Sequence, residues 1–197
     1  MRNGIQGELL AITPHDDLER LHLQDALAWV ESGAPLFRVE KPAVPFKHLV
    51  CYFALVDGAH ILLVDHKNAQ LWLPTGGHVE PDEHPRATVV RELKEELSLA
   101  VTSSQIGPPL MITVAETVGL SAGHIDVSLW YFVIFDRNVR IVFDPIEFYD
   151  AKWFPFAEVP FQRTDPHLHR FLDKLRAALP KQQAQIKHSL EQALNDL

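Results

Sequence analysis

Arg91-Glu92-Leu93-Lys94-Glu95-Glu96 packs three carboxylates and a guanidinium into a stretch whose apolar residues recur at helical spacing. Val90, Leu93 and Leu97 form one stripe of a helix expected over about Pro85 to Leu97, and the acids lie opposite that stripe. Glu92 and Glu96 stand one turn apart, with Glu95 between them on the same face. Carboxylates this close repel one another and do not all stay ionised without compensation. A hard divalent cation supplies it, because Mg²⁺ takes oxygen ligands and keeps several waters for substrate phosphates. The alternative left open by spacing alone is a solvated acidic helix face with Arg91 and Lys94 as its partners.

The loop ahead of this helix narrows the choice. Gly77 is followed after five residues by Glu83, and after seven more by Arg91-Glu92-Leu93-Lys94-Glu95-Glu96-Leu97-Ser98-Leu99. This array resembles the signature of the Nudix hydrolase family: glycine, five residues, glutamate, seven residues, then Arg-Glu-apolar-any-Glu-Glu-any-Gly-apolar. Every polar position agrees, and Ser98 stands where the family has glycine. That position ends the helix, where a left-handed backbone is cheapest without a Cβ, so serine is expected to cost some stability while removing no ligand. Leu73-Pro74-Thr75-Gly76-Gly77-His78-Val79-Glu80 is similar to the family's strand and turn into the motif. Lys152-Trp153-Phe154-Pro155 with Glu158-Val159-Pro160 looks like its closing strand and short helix. The resemblance covers about His48 to Phe161.

It implies an α/β fold, an α/β/α sandwich with a mixed sheet, and hydrolysis of a phosphoanhydride in a nucleoside diphosphate linked to another group, with Mg²⁺ or Mn²⁺. By position, Glu92, Glu95 and Glu96 would bind the metal and Gly76 would offer a main-chain carbonyl. Arg91 would hold a neighbouring glutamate in place, and Glu83 would be a further carboxylate beside the cluster. The general base varies within the family, resting on a box glutamate or on a later loop. Glu147, in Asp144-Pro145-Ile146-Glu147-Phe148, is the first loop candidate and Glu116 the second; an exposed loop acid is the plain alternative. No subclass marker for coenzyme A, dinucleoside polyphosphate or ADP-ribose substrates stands out, and Pro108 and Pro109 follow the box too closely to serve as one. Two rivals come with the family: a Nudix-like regulator that binds ligand without hydrolysis, which would usually have lost box carboxylates, and an isoprenoid-diphosphate isomerase, for which Cys51 in mid-strand is poorly placed.

His124 and Asp126 alternate on an expected strand and share a face, where they could contact base or sugar, bind a metal together, or simply end the strand. His78 lies close enough to the box to meet a phosphate. The remaining histidines, His66 and His84 among them, show no zinc-like spacing with cysteine and are expected at the surface. Trp72, Trp130, Tyr131 and Trp153 offer either nucleobase stacking or buried aromatic core. Cys51, the only cysteine, permits no internal disulfide and reads as core.

These residues need a scaffold, and the pattern supplies one. Leu49–Val56 and Ile61–Val64 flank Asp57-Gly58, a hairpin signal, and Leu110–Val118, Val127–Phe135 and Lys152–Phe156 also read as strands. Thr13 to Ser32 reads as a leading helix, with Thr13 as cap, Pro14 in the first turn and Gly33 as the stop, followed by a proline-bearing connector over Ala34–Lys47. Asp165 and Pro166 open a C-terminal helix through Leu168, Phe171, Leu172, Leu175 and Leu179. After Pro180 a second stripe, Ile186, Leu190 and Leu194, would pack on the domain or on a second subunit of a homodimer. The expected division is therefore 1–47 (helix and connector), 48–161 (catalytic domain) and 162–197 (C-terminal helices on the same domain). The 18 Lys and Arg against 26 Asp and Glu give a net charge of −8, which argues against a nucleic-acid duplex or anionic membrane as partner and leaves a small nucleotide-type substrate. Apolar runs fall short of a membrane span and the N-terminal residues lack a secretory stretch, so a cytoplasmic enzyme is expected.

Overall fold

The computed structural model describes residues 1–41, 44–117 and 123–179. A seven-stranded mixed sheet is built from β1 (Lys47–Asp57), β2 (His60–His66), β3 (Leu71–Leu73), β4 (Thr75–His78), β5 (Met111–Glu116), β6 (Ile125–Ile134) and β7 (Phe148–Pro155). Its main path runs β3-β2-β1-β6-β5, with β4 paired to β1 and β7 to β2. Among these seven strands only β1 and β6 pair in parallel, with His48 beside Asp126 and Val50 beside Ser128. The Gly58-Ala59 turn joins β1 to β2, with Asp57 opposite His60, as the Asp-Gly signal predicts.

Strand alternation divides β1 between two layers. Leu49, Cys51, Phe53 and Leu55 face a core shared with Val89, Leu93 and Leu97 of α3 (Pro85–Leu97). On the other side, Ala54 and Val56 join Trp130 and Leu63 against Leu168, Phe171, Leu172 and Leu175 of a helix, α4, that covers 168–179. The result is the expected α/β/α sandwich. On the same face of β1 as Ala54 and Val56, Val50 and Tyr52 line a cleft.

The helix α3 has the bounds expected from its stripe, with His84 as N-cap and Pro85 in the first turn. Ser98 sits at its C-terminus at φ 55°, ψ 31°, the left-handed conformation that the glycine of the motif would adopt freely. The Leu99 N–H still closes the turn on the Leu93 carbonyl at 3.0 Å.

The N-terminal region departs from expectation in two ways. An unanticipated helix, α1 (Arg2–Leu10), precedes the expected one and buries Ile5 and Leu9. The next helix, α2 (Asp17–Glu31), starts after Asp16 rather than Thr13. Asp16 accepts from the Glu19 N–H at 2.8 Å, and the Glu19 side chain accepts from the His15 N–H at 2.7 Å, so two main-chain donors at this helix start are satisfied. Arg2 donates to the carbonyls of Val30 and Ala34, pinning α1 to the end of α2. Glu8, on α1, pairs with Arg86 at 2.9 Å and accepts from the Tyr131 hydroxyl.

The start of α2 and the helix α4 meet at buried charge. Glu19 is fully buried and accepts from the Ile112 N–H of β5 and from Lys174 Nζ at 2.6 Å. Lys174 also donates to the Thr13 carbonyl, and Arg170 makes a two-point pair with Asp16 at 2.7 and 2.5 Å. That pairing holds the Asp16 carboxyl well below its ordinary range. The stripe through Ile186, Leu190 and Leu194 lies outside the described residues. Among the described residues no helix is long and apolar enough to cross a membrane.

Removing one member of the buried pair leaves the other charge stranded. Lys174→Met is expected to cost about 3–5 kcal/mol in denaturant unfolding, and adding Glu19→Gln should restore a substantial part. A loss below about 1 kcal/mol would show that the pair behaves as an exposed one. Ser98→Gly should raise stability by about 1 kcal/mol, and a lower melting temperature would contradict strain at the helix end.

Candidate active site

Arg91 organises the motif. Its guanidinium donates to Glu83 Oε1 and Oε2 at 3.0 and 2.9 Å, to Glu92 Oε1 at 2.6 Å, to Glu95 Oε2 at 3.3 Å and to the His78 carbonyl at 3.0 Å. One cation thus ties α3 to the end of β4 and to the intervening loop. The hydrogen bonds from Arg91 raise its own pKa further. Glu83 is held by Arg91, by the Thr88 hydroxyl at 2.8 Å and by the Glu80 N–H at 3.2 Å. Burial opposes ionisation of Glu83, yet these donors together keep its pKa below the ordinary value. Glu83 is therefore Arg91's partner, with both oxygens already engaged.

Glycine at position 77 leaves room for the Glu92 side chain. A Cβ there would lie 1.9 Å from Glu92 Oε1, inside the carboxylate. At Gly76 it would fall 2.7 Å from the Cys51 carbonyl and from the Tyr52 ring. The close passage of β4 brings the main chain up against the acidic face of α3.

The three box acids differ in setting. Glu95 is exposed. Glu92 is half-buried, and burial raises its pKa despite Arg91, with Glu95 and Glu147 adding to the rise. Glu96 is buried, and burial followed by Glu92 and Glu147 pushes its pKa well above the carboxylate range. Its Oε2 has no hydrogen-bond partner among the described residues. A buried carboxylate oxygen without a donor, flanked by two more carboxylates, is the environment a cation would satisfy. All these donors are oxygens, a set that fits Mg²⁺ or Mn²⁺ rather than a softer ion.

These groups line a cleft of about 930 Å³ between the sheet and its loops, together with Gly76, Gly77, His78, His124, Asp126, Glu147 and Glu116. Glu147 is exposed on the loop before β7 but acts electrostatically on both Glu92 and Glu96. The loop is anchored by the Asp144 N–H on the Glu96 carbonyl and by the Lys67 N–H on the Glu147 carbonyl. Glu116 lies at the far end of β5, exposed at the rim.

His78, His124 and Asp126 gather on the opposite wall with a residue the sequence did not single out. His48 is completely buried, 3.1 Å from His78 Nε2 and 3.3 Å from Asp126 Oδ1 through its own Nε2. The expectation of surface histidines fails for His48, and His124, which shares a strand face with Asp126 as expected, is 3 % exposed. Burial, with Arg38 and the His48 ring adding to it, drops the His78 pKa to about 3. No local spacing flags His48, because it reaches Asp126 only through the parallel register of β1 and β6. Arg38 and Lys41, from the connector, also line the cleft and were not anticipated.

The aromatic residues resolve toward core. Trp130 and Tyr131 are buried, Trp130 donating to Thr113 Oγ1 at 2.9 Å, while Trp72 packs edge-on against Phe154. Cys51 is buried with its thiol toward the Pro85 carbonyl, and burial raises its pKa well above the ordinary thiol value. That places the only thiol in the α3 layer, away from the cleft.

With this geometry in place, the family is defined. The NUDIX domain model matches residues 47–175, most of the chain. The protein belongs to the Nudix family, and with its box carboxylates and arginine in place it is a Nudix pyrophosphohydrolase. Among solved structures, it is similar to the E. coli ORF135 protein, with 26% identity over 67% of this chain and 90% of that one at a TM-score of 0.50. A C. elegans Ap4A hydrolase is 19% identical over 68% of this chain and 96% of its own, with a TM-score of 0.51. The NUDIX domain of Shewanella oneidensis NrtR, in complex with ADP ribose, is 19% identical over 77% and 97%, with a TM-score of 0.51. Comparison with curated proteins gave no match.

Gly77→Ala should force Glu92 from its position and cost about 1–3 kcal/mol in denaturant unfolding. Gly7→Ala, at a helical site where a Cβ meets nothing within 4 Å, should instead stabilise the protein. Equal behaviour of the two variants would mean that the Glu92 carboxylate swings aside freely.

Proposed function

We propose that the protein hydrolyses a phosphoanhydride bond in a nucleoside diphosphate linked to another group, using Mg²⁺ or Mn²⁺ held by Glu92, Glu95, Glu96 and the Gly76 carbonyl. The observation that carries this reading is the buried Glu96 oxygen that lacks a donor, set among carboxylates on the floor of a 930 Å³ cleft. When bound, the ion neutralises the diphosphate and makes water acidic enough to attack phosphorus near neutral pH.

The chain's own residues do the rest. Arg91 fixes the directions of Glu92 and Glu95 while Glu83 fixes Arg91, so the ligand set is arranged before substrate arrives. Glu147 carries an exposed carboxylate toward the same floor and serves as the base that takes the proton from the attacking water. Arg38 and Lys41 border the cleft on the connector side and suit the negative charge of substrate phosphates. The neighbours named for Ap4A and ADP ribose share the fold, and the choice between such substrates belongs to the loops around the cleft.

The test is phosphate or diphosphate release from a panel of nucleoside triphosphates, nucleotide sugars, ADP-ribose and dinucleoside polyphosphates, with Mg²⁺ or Mn²⁺. Glu95→Gln and Glu96→Gln should each lower turnover by about two to three orders of magnitude without unfolding the chain. Near-full activity in either variant would remove that residue from the metal set. Silence of the wild type across the panel, with a nucleotide still raising its melting temperature, would favour a regulator that binds without hydrolysis.

A further inference from the structure

The wall opposite the box holds a second donor set of different chemistry. His48 projects from β1, His78 ends β4, Asp126 lies on β6 and His124 precedes it by two residues. One donor atom from each lies within 4.8 Å of every other. Three of these separations are 3.1 Å (His48 to His78), 3.3 Å (His48 to Asp126) and 3.3 Å (His124 to Asp126). With metal–nitrogen and metal–oxygen bonds near 2.0–2.1 Å, the edge of a tetrahedral zinc site is about 3.3 Å.

The orientation of the rings matches that role. The Pro45 carbonyl can only accept, so His48 Nδ1, 2.9 Å away, is the protonated nitrogen, and in the neutral ring Nε2 carries the lone pair. His124 Nδ1 faces Thr117 Oγ1 at 3.2 Å, leaving its Nε2 toward Asp126. Two of the three rings, His48 and His124, thus have an outer partner at one nitrogen, as metal-binding histidines do. Asp126 Oδ1 is buried and has two imidazole nitrogens at 3.3 Å, yet neither is aligned to hydrogen-bond to it. A buried carboxylate oxygen with no aligned donor among the described residues, faced by imidazole nitrogens, is a position that a cation would satisfy.

We propose that His48, His78, His124 and Asp126 bind one divalent transition-metal ion of the Zn²⁺ class. Three imidazoles and one carboxylate select against Mg²⁺, so this site is chemically separate from the all-oxygen box. The ion would fasten β4 to β1 and β6 directly beyond Gly76-Gly77, and so steady the main chain that faces the box acids. The site is independent of whether the box supports hydrolysis.

The full chain, freed of any histidine tag and stripped with a chelator, would be titrated with Zn²⁺ against a chromophoric competitor and with Co²⁺ by visible absorption. The expected result is one equivalent bound, with the intense d–d bands of tetrahedral Co²⁺. His124→Gln and Asp126→Asn should each weaken Zn²⁺ binding by more than the roughly 10–100-fold that loss of an outer-shell partner costs. The Glu95→Gln/Glu96→Gln double variant should keep both the stoichiometry and the spectrum. Thermal melts of the stripped proteins establish that the histidine-site variants fold, and only variants that melt cooperatively are compared. Absence of tetrahedral Co²⁺ bands in the wild type would overturn the proposal, as would a spectrum retained by folded His124→Gln and Asp126→Asn or lost in the glutamate double variant.

Discussion

Packing several carboxylates onto one turn of helix costs free energy, and the structure meets that cost with a single guanidinium. Arg91 joins Glu83, Glu92, Glu95 and the His78 carbonyl, so three chain segments take their positions from one side chain. Such a hub is rigid because the planar fork has fixed directions and each branch is charge-assisted. Glu96 lies outside its reach and is left buried with an empty acceptor. The arrangement therefore separates the acids paired with Arg91 from Glu96, whose Oε2 has no donor among the described residues.

The scaffold serves that separation. The tight passage of β4 past α3 is possible because Gly77 has no Cβ, and the same strand ends at His78, whose ring belongs to the opposite wall. One four-residue strand thus lies between two donor sets of unlike hardness. The loop bearing Glu147 is tied at Glu96 and at Lys67, which keeps its backbone near the cleft while its side chain stays in solvent.

What could be read from sequence follows how local each signal is. The span and stripe of α3 and the Asp57-Gly58 turn lie within short windows, so periodicity and turn chemistry expose them, and the box from Gly77 to Leu99 is equally local and stands out by its resemblance to the family signature. α1 escaped because Ile5 and Leu9 are its main buried apolar positions and Gly4 and Gly7 weaken its propensity. The start of α2 shifted because Asp16 as well as Thr13 has a capping side chain, and the bonds from the Glu19 N–H to Asp16 and from the His15 N–H to Glu19 decide between them. Glu83 was legible as a conspicuous acid, whereas its service to Arg91 emerges only when the loop folds back. His48 was invisible because its partners are 30, 76 and 78 residues away along the chain and meet it through strand register.

The strand β5 ends the main path of the sheet and so presents a row of main-chain groups to whatever lies beside it. Unprotected rows of this kind recruit strands from other molecules. Here α2 lies along that border, and the Glu19 carboxylate occupies the Ile112 N–H. A helix outside the catalytic motif is thereby the guard that keeps one copy of the sheet from continuing into the next. Trimming the protein to its motif-bearing segment would expose this border, and self-association would follow even where the cleft itself was unaltered.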